Sequence, residues 1–205
     1  MFTGIVQGQA EVIALERRDQ FMKLRVALPA GHTNNLQTGA SIAINGTCLT
    51  VTSFDESSVQ FDLIQETLNV TNLGELKVTS VVNFERAAKF GDEIGGHLLS
   101  GHISATAQIC EIKQTDDNCI IWFEIDEALT PYILTKGFVA LNGCSLTIGA
   151  VEGNRFNVYL IPETLSITTF GQANVGDRIN IEVDPQPQAI VDTVNRYLET
   201  HSPVK

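Results

Sequence analysis

Apolar and polar residues alternate along this chain over short runs. "MKLRVAL" (22–28), "SVQFDLI" (58–64) and "VVNFE" (81–85) place apolar side chains at every second position or nearly so. "CIIWFEI" (119–125) and "RFNVYLI" (155–161) do the same further on. A period of two predicts half-buried β-strands. Gly, Asn and Asp fall between the runs. Asn45-Gly46 and Asn142-Gly143 each stand between two apolar-rich runs, where the positive φ of both turn residues predicts a tight hairpin. Only "QAIVDTVNRYLETH" (188–201) changes period, with Ile190, Val191, Val194, Tyr197 and Leu198 at helical spacing after Pro185 and Pro187. That predicts one amphipathic C-terminal helix, whose apolar face needs a barrel or another subunit to cover it.

The pattern is written twice. Shifted by 97 positions, residues 4–87 lie on 101–184 without a gap and with 20 identities. Gly4 falls on Gly101, Asn45-Gly46 on Asn142-Gly143, Leu49-Thr50 on Leu146-Thr147, "LIQETL" (63–68) on "LIPETL" (160–165), and Asn83 on Asn180. Most other pairs exchange like for like. The period is too long for a solenoid unit and suits a small domain. The expected architecture is all-β: two similar domains over 1–90 and 91–185, each a small closed barrel or sandwich, followed by a helix and tail over 186–205.

Composition narrows the function. A formal net charge of -11 argues against nucleic acid as a partner, and no apolar window approaches membrane-spanning length. The opening "MFTGIVQGQAEV" lacks the features of a secretory signal. Cys48, Cys110, Cys119 and Cys144 form no CxxC pair, so they are expected as free thiols in a cytoplasmic protein, with no metal site.

Comparing the two copies singles out candidate chemistry. By strand alternation Cys48 and Thr50 share one face, opposite Leu49 and Val51. In the second copy Ser145 and Thr147 share that face, while Cys144 joins Leu146 and Ile148 on the apolar side. Cys48 and Ser145 thus occupy one ligand-facing slot and Cys144 is expected in the core. His102 replaces Ile5 across the repeat, installing a side chain that titrates near neutrality. Lys136 stands against Gly39, Asp184 against Ala87, and Phe138 against Ser41. "EIGGHLLSGHIS" (93–104) carries two histidines among glycines and serines, with no third ligand cluster to support a metal.

Together "MFTGIV", "NGTCLTV", "ETL", "GGHLLSGH", "NGCSLTI" and "IPETL", in this order and in both halves, resemble the riboflavin synthase family of the alpha-subunit type. The resemblance implies two six-stranded Greek-key barrels and a C-terminal helix. It implies a homotrimer whose active site lies between the N-terminal barrel of one subunit and the C-terminal barrel of a neighbour, with lumazine synthase as a further partner. The implied reaction is dismutation of 6,7-dimethyl-8-ribityllumazine by four-carbon transfer to riboflavin and 5-amino-6-ribitylaminouracil, without a cofactor. Carried over by motif, the first barrel would bind substrate through Gly4, Ile5, Val6, Cys48, Leu49, Thr50, Asp62, Leu63, Ile64, Gln65, Glu66 and Thr67. The second would use Gly101, His102, Ile103, Lys136, Ser145, Leu146, Thr147, Leu160, Ile161, Pro162, Glu163, Thr164 and Leu165. Residues matching those tied to turnover are Phe2, Ser41, Cys48, His102, Ser145 and Asp184: His102 as a base for the 7-methyl proton, Asp184 orienting it or shuttling a proton, and water, Cys48 or Ser145 supplying or steering the nucleophile at ring carbon 7. Thr47 replaces a second cysteine found in some members, on the face away from Cys48. The alternatives are a non-catalytic lumazine or flavin antenna protein, which needs only one good pocket, and a barrel pair with no small ligand.

Overall fold

The computed structural model describes residues 1–115 and 118–201. The first half forms β1 (Gly8–Arg18), β2 (Phe21–Ala27), β3 (Ser41–Ile44), β4 (Thr47–Phe54), β5 (Ser58–Ile64) and β6 (Val81–Arg86), closed in the order β1-β2-β5-β4-β3-β6. The second repeats it with β7 (Ala105–Gln114), β8 (Cys119–Glu124), β9 (Phe138–Leu141), β10 (Cys144–Glu152), β11 (Arg155–Leu160) and β12 (Arg178–Val183). All pairings are antiparallel. The return of β5 to lie beside β2 gives the Greek-key path, and closure removes exposed strand edges. Each barrel interior is filled by the alternate residues seen in the sequence, such as Met22, Leu24, Val26, Val59, Phe61 and Leu63 in the first. Ile121, Phe123, Phe156 and Val158 play this part in the second.

The repeat extends to irregularities. Bulges interrupt β1 between Val12 and Ala14 and β7 between Ile109 and Glu111, and likewise β4 after Val51 and β10 after Ile148. Two short helices, α1 (Gln65–Val70) and α2 (Pro162–Ile167), stand on the "ETL" motifs. Strand alternation did not foresee them, because six residues are too few to display a helical period. The last element, α3 (Pro185–His201), is the expected helix. Tyr132 donates a 2.5 Å hydrogen bond to Asp192 on it, yet Ile190, Val194, Tyr197 and Leu198 are all at least half exposed. No helix among the described residues is long and apolar enough to cross a membrane.

The two Asn-Gly turns have the expected positive φ at both residues, and they pack against each other between the barrels. A Cβ on Gly46 would come within 2.6 Å of the Gly143 nitrogen. Around this contact lies a buried asparagine network. Asn180 Nδ2 donates to Asn45 O (2.8 Å) and Asn83 Nδ2 donates to Asn142 O (3.0 Å). The Asn72 and Thr169 amides donate to the Asn180 and Asn83 side-chain oxygens. The turns therefore form the joint between barrels, where Asn45 and Asn142 line a cavity of about 450 Å³, and the strands that follow them carry Cys48 and Ser145.

Candidate active site

Alternation places Cys48 and Ser145 on the outer walls of their barrels, half-buried beside the exposed Thr50 and Thr147, while Leu49, Val51, Leu146 and Ile148 point inward. Cys144 is in the core, and burial pushes its thiol up to about 12. The walls are left open because β5 joins β4 only from Val51 onward, and β11 joins β10 only from Ile148. The free Cys48 and Ser145 amides are satisfied by two irregular straps. The Gly101 carbonyl accepts from Cys48 N (2.9 Å), and the Gly4 carbonyl accepts from Ser145 N (2.8 Å).

These straps cross over. The N-terminal strap (1–6) runs into the first barrel but lies on the second. The linker strap (97–103) runs into the second but lies on the first. Gly4, Ile5 and Val6 line a cavity of about 220 Å³ with Ser145, Glu163 and Thr164, and Val6 packs into the second barrel's core. This corrects the expected grouping: Gly4–Val6 complete the second barrel's wall, and Gly101 meets the first barrel's Cys48. Proximity in sequence suggested the opposite, since nothing in a strand pattern shows a strap passing to a neighbour. Both glycines are buried at positive φ (75° and 80°), and a Cβ on either would lie 2.5–2.6 Å from the Cβ of Ser145 or Cys48. Only glycine lets the backbone come so close.

Where the straps cross, Phe2 and Leu99 form a buried cluster with Ala43 and Ala140. Phe2 is 1% exposed, so it pins the crossing and has no face for a ligand. Leu49, Leu63, Leu146 and Leu160 are core side chains, leaving only their backbone for a ligand. The exposed members of the expected set are Ile5, Thr50, Asp62, Ile64, Gln65, Glu66, His102, Lys136, Thr147, Ile161, Pro162 and Glu163. Ile103, Thr67, Thr164 and Leu165 are intermediate, as is Ser41, which lies opposite Thr50 in the β3–β4 pair.

One residue beside Ser145 was passed over in the sequence. His97 Nδ1 shares a 2.6 Å hydrogen bond with Ser145 Oγ, and its ring stacks on Phe138 at 5.2 Å between centroids. Burial holds the imidazole below its ordinary pKa, partly opposed by the negative charge of Asp184. Nε2 is buried without a hydrogen-bond partner among the described residues. His97, Ser100, Phe138 and Asp184 line a second cavity, of about 410 Å³. Asp184 therefore stands beside His97, and its Oδ1 accepts from the Gln186 amide at the start of α3. Its position in a glycine-rich stretch concealed His97, whereas its only sequence signal was the proximity to "SGH".

Two buried glutamates were also overlooked. Glu85 accepts from Thr3 N (2.6 Å), Thr3 Oγ1 (2.8 Å) and Gly4 N (3.1 Å). Glu182 accepts from Ser100 N (2.8 Å), Ser100 Oγ (2.7 Å) and Gly101 N (3.1 Å). Burial raises the pKa of both carboxyl groups, and the hydrogen bonds oppose it. Their identity across the repeat was the available signal. Among the described residues no group of His, Cys, Asp and Glu could hold a metal ion.

Comparison with known proteins fits this geometry. The lumazine binding domain family matches twice, over residues 3–87 and 100–184. Riboflavin synthase of Escherichia coli (strain K12) is 54% identical over 199 residues, spanning 97% of this chain and 93% of that protein. Riboflavin synthase of Chlamydia pneumoniae is 44% identical, spanning 97% of each. Among solved structures, LumP complexed with riboflavin superposes with a TM-score of 0.84 at 27% identity, covering 90% of this chain and 100% of that one. LumP complexed with 6,7-dimethyl-8-(1'-D-ribityl) lumazine gives 0.82 at 26% identity, covering 90% and 99%.

Proposed function

The chain belongs to the riboflavin synthase family, with two lumazine-binding domains in one polypeptide, and on that footing we propose how its two pockets divide the reaction. The activity is dismutation of two 6,7-dimethyl-8-ribityllumazine molecules. One gives up a four-carbon unit to the other, yielding riboflavin and 5-amino-6-ribitylaminouracil. The observation that carries this reading is the duplicated wall: strap glycine, outward Cys48 or Ser145, threonine and short "ETL" helix recur in both barrels. Two like substrates call for two like pockets, whereas an antenna protein needs one.

The donors differ where the chemistry must. Loss of a proton from the acidic 7-methyl group of one lumazine generates a nucleophile. His102, exposed on the strap over Cys48, is the proposed base. At the other wall, the neutral imidazole of His97 and the Ser145 hydroxyl form a pair that can steer a nucleophile onto ring carbon 7 of the second lumazine. Asp184 faces His97 and favours the imidazolium as a proton arrives. Holding both heterocycles in place lowers the entropic part of the barrier.

The site is proposed to form in a homotrimer, between the first barrel of one subunit and the second barrel of the next. Two features support that: the exposed apolar residues of α3, and the exposure of Thr50, Thr147, His102 and Lys136 in the single chain. The deciding experiment supplies dimethylribityllumazine as sole substrate and follows riboflavin fluorescence. Binding of the lumazine without riboflavin formation would instead establish the antenna reading.

A further inference from the structure

Glu85 and Glu182 sit at repeat-equivalent positions, on β6 of the first barrel and β12 of the second, and are only 3% and 4% exposed. A buried carboxylate is costly unless its oxygens are filled. Each here accepts three hydrogen bonds, all from one strap. The partners are all donors, an acceptor-only requirement that a glutamine amide meets badly. The hydroxyls pass the constraint on: Ser100 Oγ also accepts from His102 N (3.1 Å), and Thr3 Oγ1 from Ile5 N (3.2 Å).

The strap held by Glu182 in the second barrel is the one whose Gly101 carbonyl meets Cys48 in the first. The strap held by Glu85 in the first barrel is the one whose Gly4 carbonyl meets Ser145 in the second. We propose that Glu85 and Glu182 are positioning residues, each anchored in one barrel and setting the strap that completes the other barrel's substrate pocket. His102 and Ile5 are thereby presented to pockets on the barrel that does not hold their clamp. The assignment of the walls as substrate pockets rests on the function proposed above; the crossed clamping does not.

Glu182→Gln and Glu85→Gln in the full-length protein test this without substrate. Site-resolved amide hydrogen exchange should show a crossed pattern. E182Q speeds exchange at Cys48 N–H by tenfold or more and leaves Ser145 N–H unchanged, and E85Q does the reverse. Iodoacetamide alkylation of Cys48 should rise several-fold in E182Q only, with Cys119 and Cys144 still protected in both. Ser100→Ala and Thr3→Ala, which each remove one donor and keep the carboxylates, should give the same crossed pattern at smaller amplitude, so the idea stays testable if a glutamine variant misfolds. Turnover with dimethylribityllumazine is then expected to fall through kcat in E182Q. Equal exchange at both amides, an uncrossed pattern, or parallel exposure of Cys119 and Cys144 would overturn the proposal. The crossed pattern with unchanged turnover would keep the clamps but overturn their role in positioning for the reaction.

Discussion

Phe2 and Leu99, separated by the repeat offset of 97, exchange both backbone hydrogen bonds, Phe2 N to Leu99 O at 2.9 Å and Leu99 N to Phe2 O at 3.0 Å. The two straps therefore meet each other before each departs for the other barrel. Two wall contacts, Gly4 O with Ser145 N and Gly101 O with Cys48 N, depend on that crossing.

The close approach at Gly101 makes it intolerant of a side chain. Gly101→Ala should lose about 1–3 kcal/mol of stability through strain and displacement of the strap, with most turnover. Gly91→Ala is the control. Its φ is also positive (94°) but nothing lies within 4 Å, so it should lose only about 1 kcal/mol and keep activity. Denaturant unfolding and the fluorescence assay measure both.

The two histidines should separate. His102→Gln is expected to slow 7-methyl deuterium exchange in bound lumazine by about 100-fold, the lower end of general base contributions. An unchanged exchange rate would remove His102 as the base. His97→Gln should leave exchange largely intact and slow riboflavin formation.

His97 also predicts a pH dependence. Its pKa is depressed in the folded protein by burial, so the fold favours the neutral ring. The resulting stability is present above the ordinary imidazole pKa and is lost as pH falls through the lower folded value. The melting temperature of His97→Gln should fall less than that of the parent between pH 7 and pH 5. Parallel curves would show that this group does not titrate with unfolding.

At the barrel joint, Asn180→Ala orphans the Asn45 carbonyl and the Asn72 amide, both buried. Each should cost about 1–3 kcal/mol, read as a lowered urea midpoint. A loss below about 0.5 kcal/mol would mean that the network is not what joins the barrels, since surface substitutions typically fall within that range.

Removing residues 187–205 takes away the exposed Ile190, Val194, Tyr197 and Leu198 together with Asp192, the partner of Tyr132. Sedimentation velocity should show a weakened oligomer with the barrels still folded by near-UV circular dichroism. A surviving trimer would place the subunit contact elsewhere.

The sequence by itself determined the strands, their duplication and the outward slot shared by Cys48 and Ser145, because alternation and an ungapped repeat are written along the chain; that each half closes as a barrel rather than a sandwich was decided by the strand pairings. It also separated Cys144 from that slot, two residues from Leu146 on the inward face. Tertiary structure alone decided that Gly4–Val6 serve the second barrel, that the Asn-Gly turns form a buried joint, and that Phe2 is core. It alone brought His97 to Ser145 and Glu182 to the strap over Cys48. The reason is physical. Alternation fixes which side of a strand a residue faces, but a strap without periodic structure is directed by the unpaired amides and buried carboxylates it satisfies, and these lie far away in sequence.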